Sequence, residues 1–323
     1  MGKPRKMILD LDTGIDDSMA LAYALASNDI ELLGITGVFG NVRVLDGVEN
    51  TLKMLELLGH PEIPVFVGED RPYGAKEAFC LPEVSKRIHG EDGIGNLYLP
   101  KAQGQPQKMN AVDFIIKSCK EVEDLVLVPT GPLTNIAKAI EQAPEILKKN
   151  IQVVFMGGAL TVCGNVTPFA EANIYNDPVA ADKVLRSSWP ITMVGLDVTL
   201  RTLFTKKETA VWREYQEVQS TAFADMVDYY IGAYEEGSPH LGGCALHDPL
   251  AAAAAIHPEY LTYLTLPMKV ETEGPSRGRT IGDNERINYE NPNVQVAVGV
   301  NREQFLKDFV EKMNGILQNR KSS

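Results

Sequence analysis

Cysteine is scarce and scattered in this chain: Cys80, Cys119, Cys163 and Cys244 show no CxxC spacing. That argues against a thiolate metal site or a disulfide framework and leaves reduced thiols, as expected of a cytoplasmic protein. Basic residues are outnumbered, 31 Lys and Arg against 43 Asp and Glu, giving a net charge of −12. Neither nucleic-acid backbones nor anionic membranes are therefore expected partners. No apolar run approaches the roughly 20 residues that cross a bilayer. The basic start MGKPRKMILD is not followed by the apolar stretch of a secretory signal. Linkers, repeats and low-complexity segments are also lacking, so residues 1–323 read as one domain.

What the chain does have is alternation of short β-branched runs with amphipathic or alanine-rich segments. Strands are expected at Met7–Leu11, Leu32–Val38, Pro64–Val67, Leu125–Pro129, Gln152–Met156 and Ile191–Leu196. Helices are expected at Asp17–Ala26, Leu45–Leu58, Ala111–Val122, Leu133–Gln142 and Pro178–Ser187. Near-continuous apolar strands suit a parallel sheet buried on both faces. Gly59 suits the position just past a helix end, and Asp177-Pro178 an N-cap followed by a first-turn proline. The fold class is α/β, a mostly parallel, doubly wound (Rossmann-like) sheet flanked by helices. Extra helices fall in the C-terminal half at Lys206–Gln219, Thr221–Tyr234 and Asp248–Ile256. An exposed turn or hairpin at 271–279, a last strand at Val294–Val300 and a helix from Asn301 complete the chain. Ligands of such folds bind beyond the carboxyl ends of the strands.

The first such end carries ILDLDTGIDD, four aspartates within eight positions. Asp10 and Asp12 share a strand face, and Asp16 and Asp17 fall in the first turn of the next helix. Helix capping, worth about 0.5–2 kcal/mol, accounts for one of them and at most two. Uncompensated carboxylates gathered at one strand end repel and are costly to desolvate. A hard divalent cation, Ca²⁺ or Mg²⁺, would resolve the conflict.

Two families pair a cation with DxD. Asp10-Leu-Asp12-Thr13 matches the DxDxT motif of haloacid-dehalogenase-like phosphatases, in which the first Asp is the nucleophile, and Gly282-Asp283 could serve as their late acidic motif. The same segment resembles the DxDxGxDD signature of nucleoside hydrolases, which also uses Asp16 and Asp17. Downstream runs favour the second: Phe39-Gly40-Asn41, Val128-Pro-Thr-Gly-Pro-Leu-Thr-Asn-Ile-Ala137, Met156-Gly-Gly158, Gly164-Asn165, Glu171-Ala-Asn173, Asp177-Pro178 and His247-Asp248-Pro249. Together, from first strand to last helix, they resemble the inosine-uridine-type nucleoside hydrolase family.

That resemblance implies a Ca²⁺-dependent ribonucleoside hydrolase, with a small-molecule ribonucleoside as partner and a homodimer or homotetramer as its assembly. Asp12 would be the general base, and Asp12, Asp17, Asp248 and the Thr130 main-chain carbonyl the metal ligands, with Asp10 supporting the loop. Asp16, Asn41, Asn165, Glu171 and Asn173 would hold the ribose hydroxyls, so 2′-deoxynucleosides should be poor substrates. Of the five histidines, His247 is the candidate for leaving-group activation. His89 resembles a family loop lining the nucleobase pocket, and Tyr230 and Tyr234, one helical turn apart, could wall it. Thr13 stands where the family commonly has proline, and Gly37 where threonine is frequent. A binder that keeps the pocket without turnover is the non-enzymatic alternative.

Overall fold

The apolar run before the aspartates becomes the innermost part of the structure, with Met7 through Leu11 all buried. The computed structural model describes residues 3–288 and 292–318. The strands are β1 (Arg5–Leu11), β2 (Ile30–Gly37), β3 (Val65–Phe66), β4 (Val126–Pro129), β5 (Gln152–Met156), β6 (Ile191–Val194), β7 (Leu203–Phe204), β8 (Cys244–Ala245), β9 (Leu261–Thr265), β10 (Met268–Val270), β11 (Thr280–Gly282) and β12 (Val294–Val300). The helices are α1 (Ile15–Ala26), α2 (Val44–Leu57), α3 (Glu83–His89), α4 (Ala111–Glu121), α5 (Thr134–Gln142), α6 (Ala172–Asn176), α7 (Pro178–Leu185), α8 (Leu196–Thr199), α9 (Lys206–Glu214), α10 (Val218–Gly237), α11 (His247–Ala254) and α12 (Arg302–Leu317).

Eight strands form one sheet in the order β3-β2-β1-β4-β5-β6-β12-β9, parallel throughout except for the antiparallel β12–β9 pair at one edge. Chain order reverses between β1 and β4, so the crevice past their carboxyl ends is the switch point at which such sheets bind ligands. Strand alternation sends Met7, Leu9 and Leu11 into a core with α1, α2, α10, α11 and α12, while Ile8 faces a second core with α4, α5 and α7.

Helix α1 is buried on all sides from Ile15 to Ala24; past its polar first turn, Met19–Ala24 is apolar all round, as a buried helix body should be. It packs on α11, whose Ala251–Ala254 side chains are small enough for a close approach. The N-termini of these two helices thereby meet over the end of β1. This one contact brings residues about 230 positions apart into the same place.

Several boundaries differ from the sequence reading. Tyr215–Glu217 separates α9 from α10, because Gln216 takes a left-handed conformation (φ 56°) that no α-helix continues through. The strand expected to reach Leu196 stops at Val194, and Leu196 opens α8 instead. Helices α3 and α6, the β7–β8 ribbon and edge strand β9 carry too little periodicity to be read in sequence. The turn at 271–279 does join an antiparallel pair, β10 and β11. Among the described residues no helix is long and apolar enough to cross a membrane.

Both expected caps form. Gly59 sits past α2 at φ 80°, its N–H donating to Glu56 O and that of His60 to Leu55 O, the doubly bonded left-handed ending. Asp177 caps α7 by accepting from Ala180 N–H at 3.0 Å. A Cβ at Gly59 would meet nothing within 4 Å, so a substitution there tests backbone strain alone. Gly59→Ala should lower the unfolding free energy by about 1 kcal/mol in urea titration; unchanged stability would contradict that account.

Candidate active site

The carboxylates assemble from three directions. Asp10 lies in register with Thr36 of β2 and Pro129 of β4. Its Oδ1 accepts from the Thr36 hydroxyl (2.6 Å) and the Asn135 amide (2.7 Å), tying β1 to β2 and α5. Asp12 Oδ2 accepts from Asn41 N–H at 2.6 Å. A Cβ on Gly40 would lie 2.0 Å from that oxygen, so only glycine lets this turn approach. Asp17 Oδ2 accepts from Gly14 N–H (2.9 Å) and the Asn41 amide (3.2 Å), and its Oδ1 from the Thr130 hydroxyl (2.6 Å). Asp16 Oδ2 accepts from the Tyr230 hydroxyl at 3.3 Å. Asp248 arrives on the first turn of α11.

Carboxylate oxygens of Asp16, Asp17 and Asp248 lie within 4.8 Å of one another. Burial pushes Asp10 and Asp16 up to about 7, with the charge of Asp17 adding to the effect. It pushes Asp12 and Asp248 well above the usual carboxylate range, again with their acidic neighbours contributing. Asp10 Oδ2, Asp12 Oδ1, Asp16 Oδ1 and Asp248 Oδ2 are buried without a hydrogen-bond partner. Orphaned buried oxygens are costly, and an all-oxygen donor set of this charge fits a hard divalent cation. The two helix N-termini lower the cost further, since their dipoles favour negative charge.

The residues read as ribose contacts occupy varied positions. Asn41 borders the cluster and spends its amide on Asp17. Asn173 lies beneath Thr130, its amide donating to Thr130 O (2.5 Å) and Met156 O (3.2 Å). Glu171 is buried and caps α6, accepting from the N–H groups of Gly158 (3.0 Å), Asn173 (2.9 Å) and Ile174 (3.2 Å). Asn165 is exposed, its Oδ1 taking Ala172 N–H at 3.0 Å.

Beside the acidic cluster, where a nucleobase wall is expected, four rings follow one another. His89 Nδ1 accepts from Ile15 N–H (3.2 Å), which leaves the proton of the neutral ring on Nε2. His89 stacks on Tyr230 (5.6 Å between centroids), and Tyr230 meets Tyr234 edge-on (5.1 Å). The Tyr234 hydroxyl lies 2.7 Å from His247 Nε2, and Thr199 Oγ1 lies 2.7 Å from Nδ1. Burial lowers His247 to about 4 and His89 to about 3, keeping both rings neutral. His60, His240 and His257 stand apart from this wall: His60 pairs with Glu62, His257 with Glu259, and His240 is exposed.

Sequence reasoning gave no role to Thr36, Asn135, Asp197 or Thr199. Asn135 lies inside a quoted motif, while Asp197 and Thr199 follow directly on the end of β6, where polar residues in an apolar setting are a usable signal. Thr13 is fully buried, its hydroxyl 2.7 Å from that of Thr51, which joins the aspartate loop to α2 in place of a proline ring. Gly37 leaves room for Val48, whose Cγ2 a Cβ would approach to 2.6 Å. Asp283, the would-be late acidic motif of a phosphatase, is paired with Arg286 (2.7 Å) and Arg186 (3.4 Å).

Comparison with known proteins agrees with this geometry. Residues 7–307 match the family described as inosine-uridine preferring nucleoside hydrolase. A probable uridine nucleosidase 1 of Oryza sativa subsp. japonica is 37% identical over 290 residues, covering 89% of this chain and 88% of that protein. The pyrimidine-specific ribonucleoside hydrolase RihA of Escherichia coli O9:H4 (strain HS) is 35% identical over 309 residues, covering 95% and 97%. A purine-preferring ribonucleoside hydrolase from Gardnerella vaginalis superimposes with a TM-score of 0.95 at 51% identity, covering 98% of this chain and 100% of that one. The phosphatase reading of Asp10-Leu-Asp12-Thr13 falls with these matches: the chain belongs to the inosine-uridine preferring nucleoside hydrolase family and is a ribonucleoside hydrolase.

Proposed function

We propose that residues 1–323 act as one catalytic domain that hydrolyses the N-glycosidic bond of ribonucleosides to ribose and free base, with Ca²⁺ as resident cofactor. The observation that carries this reading is the set of orphaned oxygens on Asp12, Asp16 and Asp248 beneath two helix N-termini. Asp12, Asp17, Asp248 and the Thr130 carbonyl would hold the ion; that carbonyl has a second lone pair besides the one Asn173 uses. When bound, the cation supplies positive charge that acidifies the attacking water and anchors the ribose diol.

Asp12 takes the proton of that water. Asn41 N–H holds one of its oxygens, so the other, Oδ1, has a fixed direction. Positive charge developing on the ribose is favoured by the surrounding carboxylates. Asp16, Asn41, Asn165, Glu171 and Asn173 form the ribose side, Asn173 and Glu171 largely by fixing the loops around it. His247 and Tyr234, whose hydroxyl lies 2.7 Å from His247 Nε2, act together in delivering a proton to the departing base, and His89 offers Nε2–H to an acceptor on it. Purine ribonucleosides are the preferred substrates in this reading, supported by 51% identity to the purine-preferring enzyme against 35–37% for the uridine and pyrimidine relatives. A cytoplasmic location and a homodimer or homotetramer belong to the same reading.

Purified protein with Ca²⁺ should release reducing sugar from inosine and uridine, and Asp12→Asn should lower kcat by about 10²–10⁴-fold. Inactivity towards every ribonucleoside tested would sink the proposal. In a panel of five ribonucleosides, higher kcat/KM for uridine and cytidine than for inosine, adenosine and guanosine would overturn the purine preference alone.

The ion has a readout independent of turnover. Asp10 and Asp16 titrate near 7 in the folded, cation-free chain against 3.8 for the unperturbed group. Between those values the folded state keeps protons that the unfolded state has released, so cation-free stability falls as pH rises. At about pH 7.5 fewer protons remain for Ca²⁺ to displace than at about pH 5. Ca²⁺ should therefore raise the Tm of EDTA-treated protein more at the higher pH, as followed by scanning fluorimetry; an equal shift at both, or none, would contradict the site.

A further inference from the structure

The turn after β6, Gly195-Leu-Asp-Val-Thr199, reaches both ends of the crevice. Asp197 is 1% exposed, and its Oδ2 accepts from Leu160 N–H (2.9 Å). Its Oδ1 accepts from Thr161 N–H (2.7 Å) and from the Thr161 hydroxyl (2.6 Å). Leu196 N–H donates to Gly158 O at 2.9 Å, so the turn holds the base of the loop that runs on to Asn165 and Glu171. Two residues later Thr199, fully buried, meets His247 Nδ1. Residues i and i+2 of a helical turn point about 200° apart, so one side chain faces the ribose loop and the other the base side.

His247 is thus gripped at both ring nitrogens, by Thr199 and by Tyr234. Each hydroxyl can donate to or accept from the ring nitrogen it faces, so the two contacts hold the ring in place in either tautomer. Without Thr199 the ring loses one of its two anchors and its fixed orientation, and misplacement of a reacting group by 1 Å can cost about 10²-fold.

We propose that the Gly195–Thr199 turn is a positioning element for both halves of the reaction: Thr199 fixes the His247 ring for leaving-group protonation, and Asp197 fixes the ribose-side loop. The inference rests on the function above, in which His247 activates the departing base.

Two ribosides with the same sugar separate the roles. Inosine has a poor leaving group that needs a proton, whereas p-nitrophenyl β-D-ribofuranoside expels a stable anion without one. Thr199→Val should lower kcat for inosine by about 10²-fold and change that for the nitrophenyl riboside by less than about threefold, with Thr199→Ser restoring inosine turnover. Asp197→Ala should instead raise KM for both by about tenfold and leave the ratio of their kcat values unchanged. Equal losses on both substrates in Thr199→Val, no loss on either, or a changed ratio in Asp197→Ala would overturn the inference while the hydrolase reading stands. A wild-type chain inactive on both ribosides would overturn the hydrolase reading and the inference together.

Discussion

Repulsion among buried carboxylates is the interaction that the rest of the site is arranged around. Asp12, Asp16, Asp17 and Asp248 are buried together, and after burial itself the charges of Asp16 and Asp17 add to the proton affinity of Asp12 and Asp248. Left to themselves such groups would take up protons or push apart. The fold opposes both outcomes by setting two helix N-termini against them and packing the helix bodies through small alanine side chains. A cation would complete the balance with charge of the opposite sign.

Around that centre the two halves of a nucleoside would meet different chemistry. The proposed ribose side consists of loops whose backbone groups are pinned by carboxylates: Glu171 on Gly158, Asn173 and Ile174, and Asp197 on Leu160 and Thr161. The proposed base side is aromatic and neutral, from His89 through Tyr230 and Tyr234 to His247. Ring positions there depend on contacts outside the wall, Ile15 N–H for His89 and Thr199 for His247. A Cβ on Gly14 would come within 2.6 Å of His89 Nδ1, so the aspartate loop itself shapes the base side. In the proposed reading, sugar and base recognition would be joined at two places, the 12–17 turn and the turn after β6.

Much of this was legible in the sequence because it is local. Apolar runs locate the strands, Gly59 and Asp177-Pro178 mark helix ends, and four aspartates in eight residues announce a charge problem that capping alone does not solve. Ordered motifs from Asp10 to Asp248 then identify the family. Less visible were features set by partners distant in sequence. Asn41 reads as a sugar contact, but its backbone and side chain also orient Asp12 and Asp17. Glu171 reads the same way, but its carboxylate is engaged by three backbone donors.

By itself, then, the sequence determined the alternation of strand and helix, the acidic loop, the order of the motifs and the family to which they belong. These depend on periodicity and residue type, which need no knowledge of contacts. Only the tertiary structure decided that α1 and α11 pack side by side with their N-termini together, that Asp16 joins Asp17 and Asp248, and that His247 is held from both sides. Those outcomes follow from packing between segments far apart in the chain, where a difference of a few ångströms in helix approach decides which carboxylates share one space.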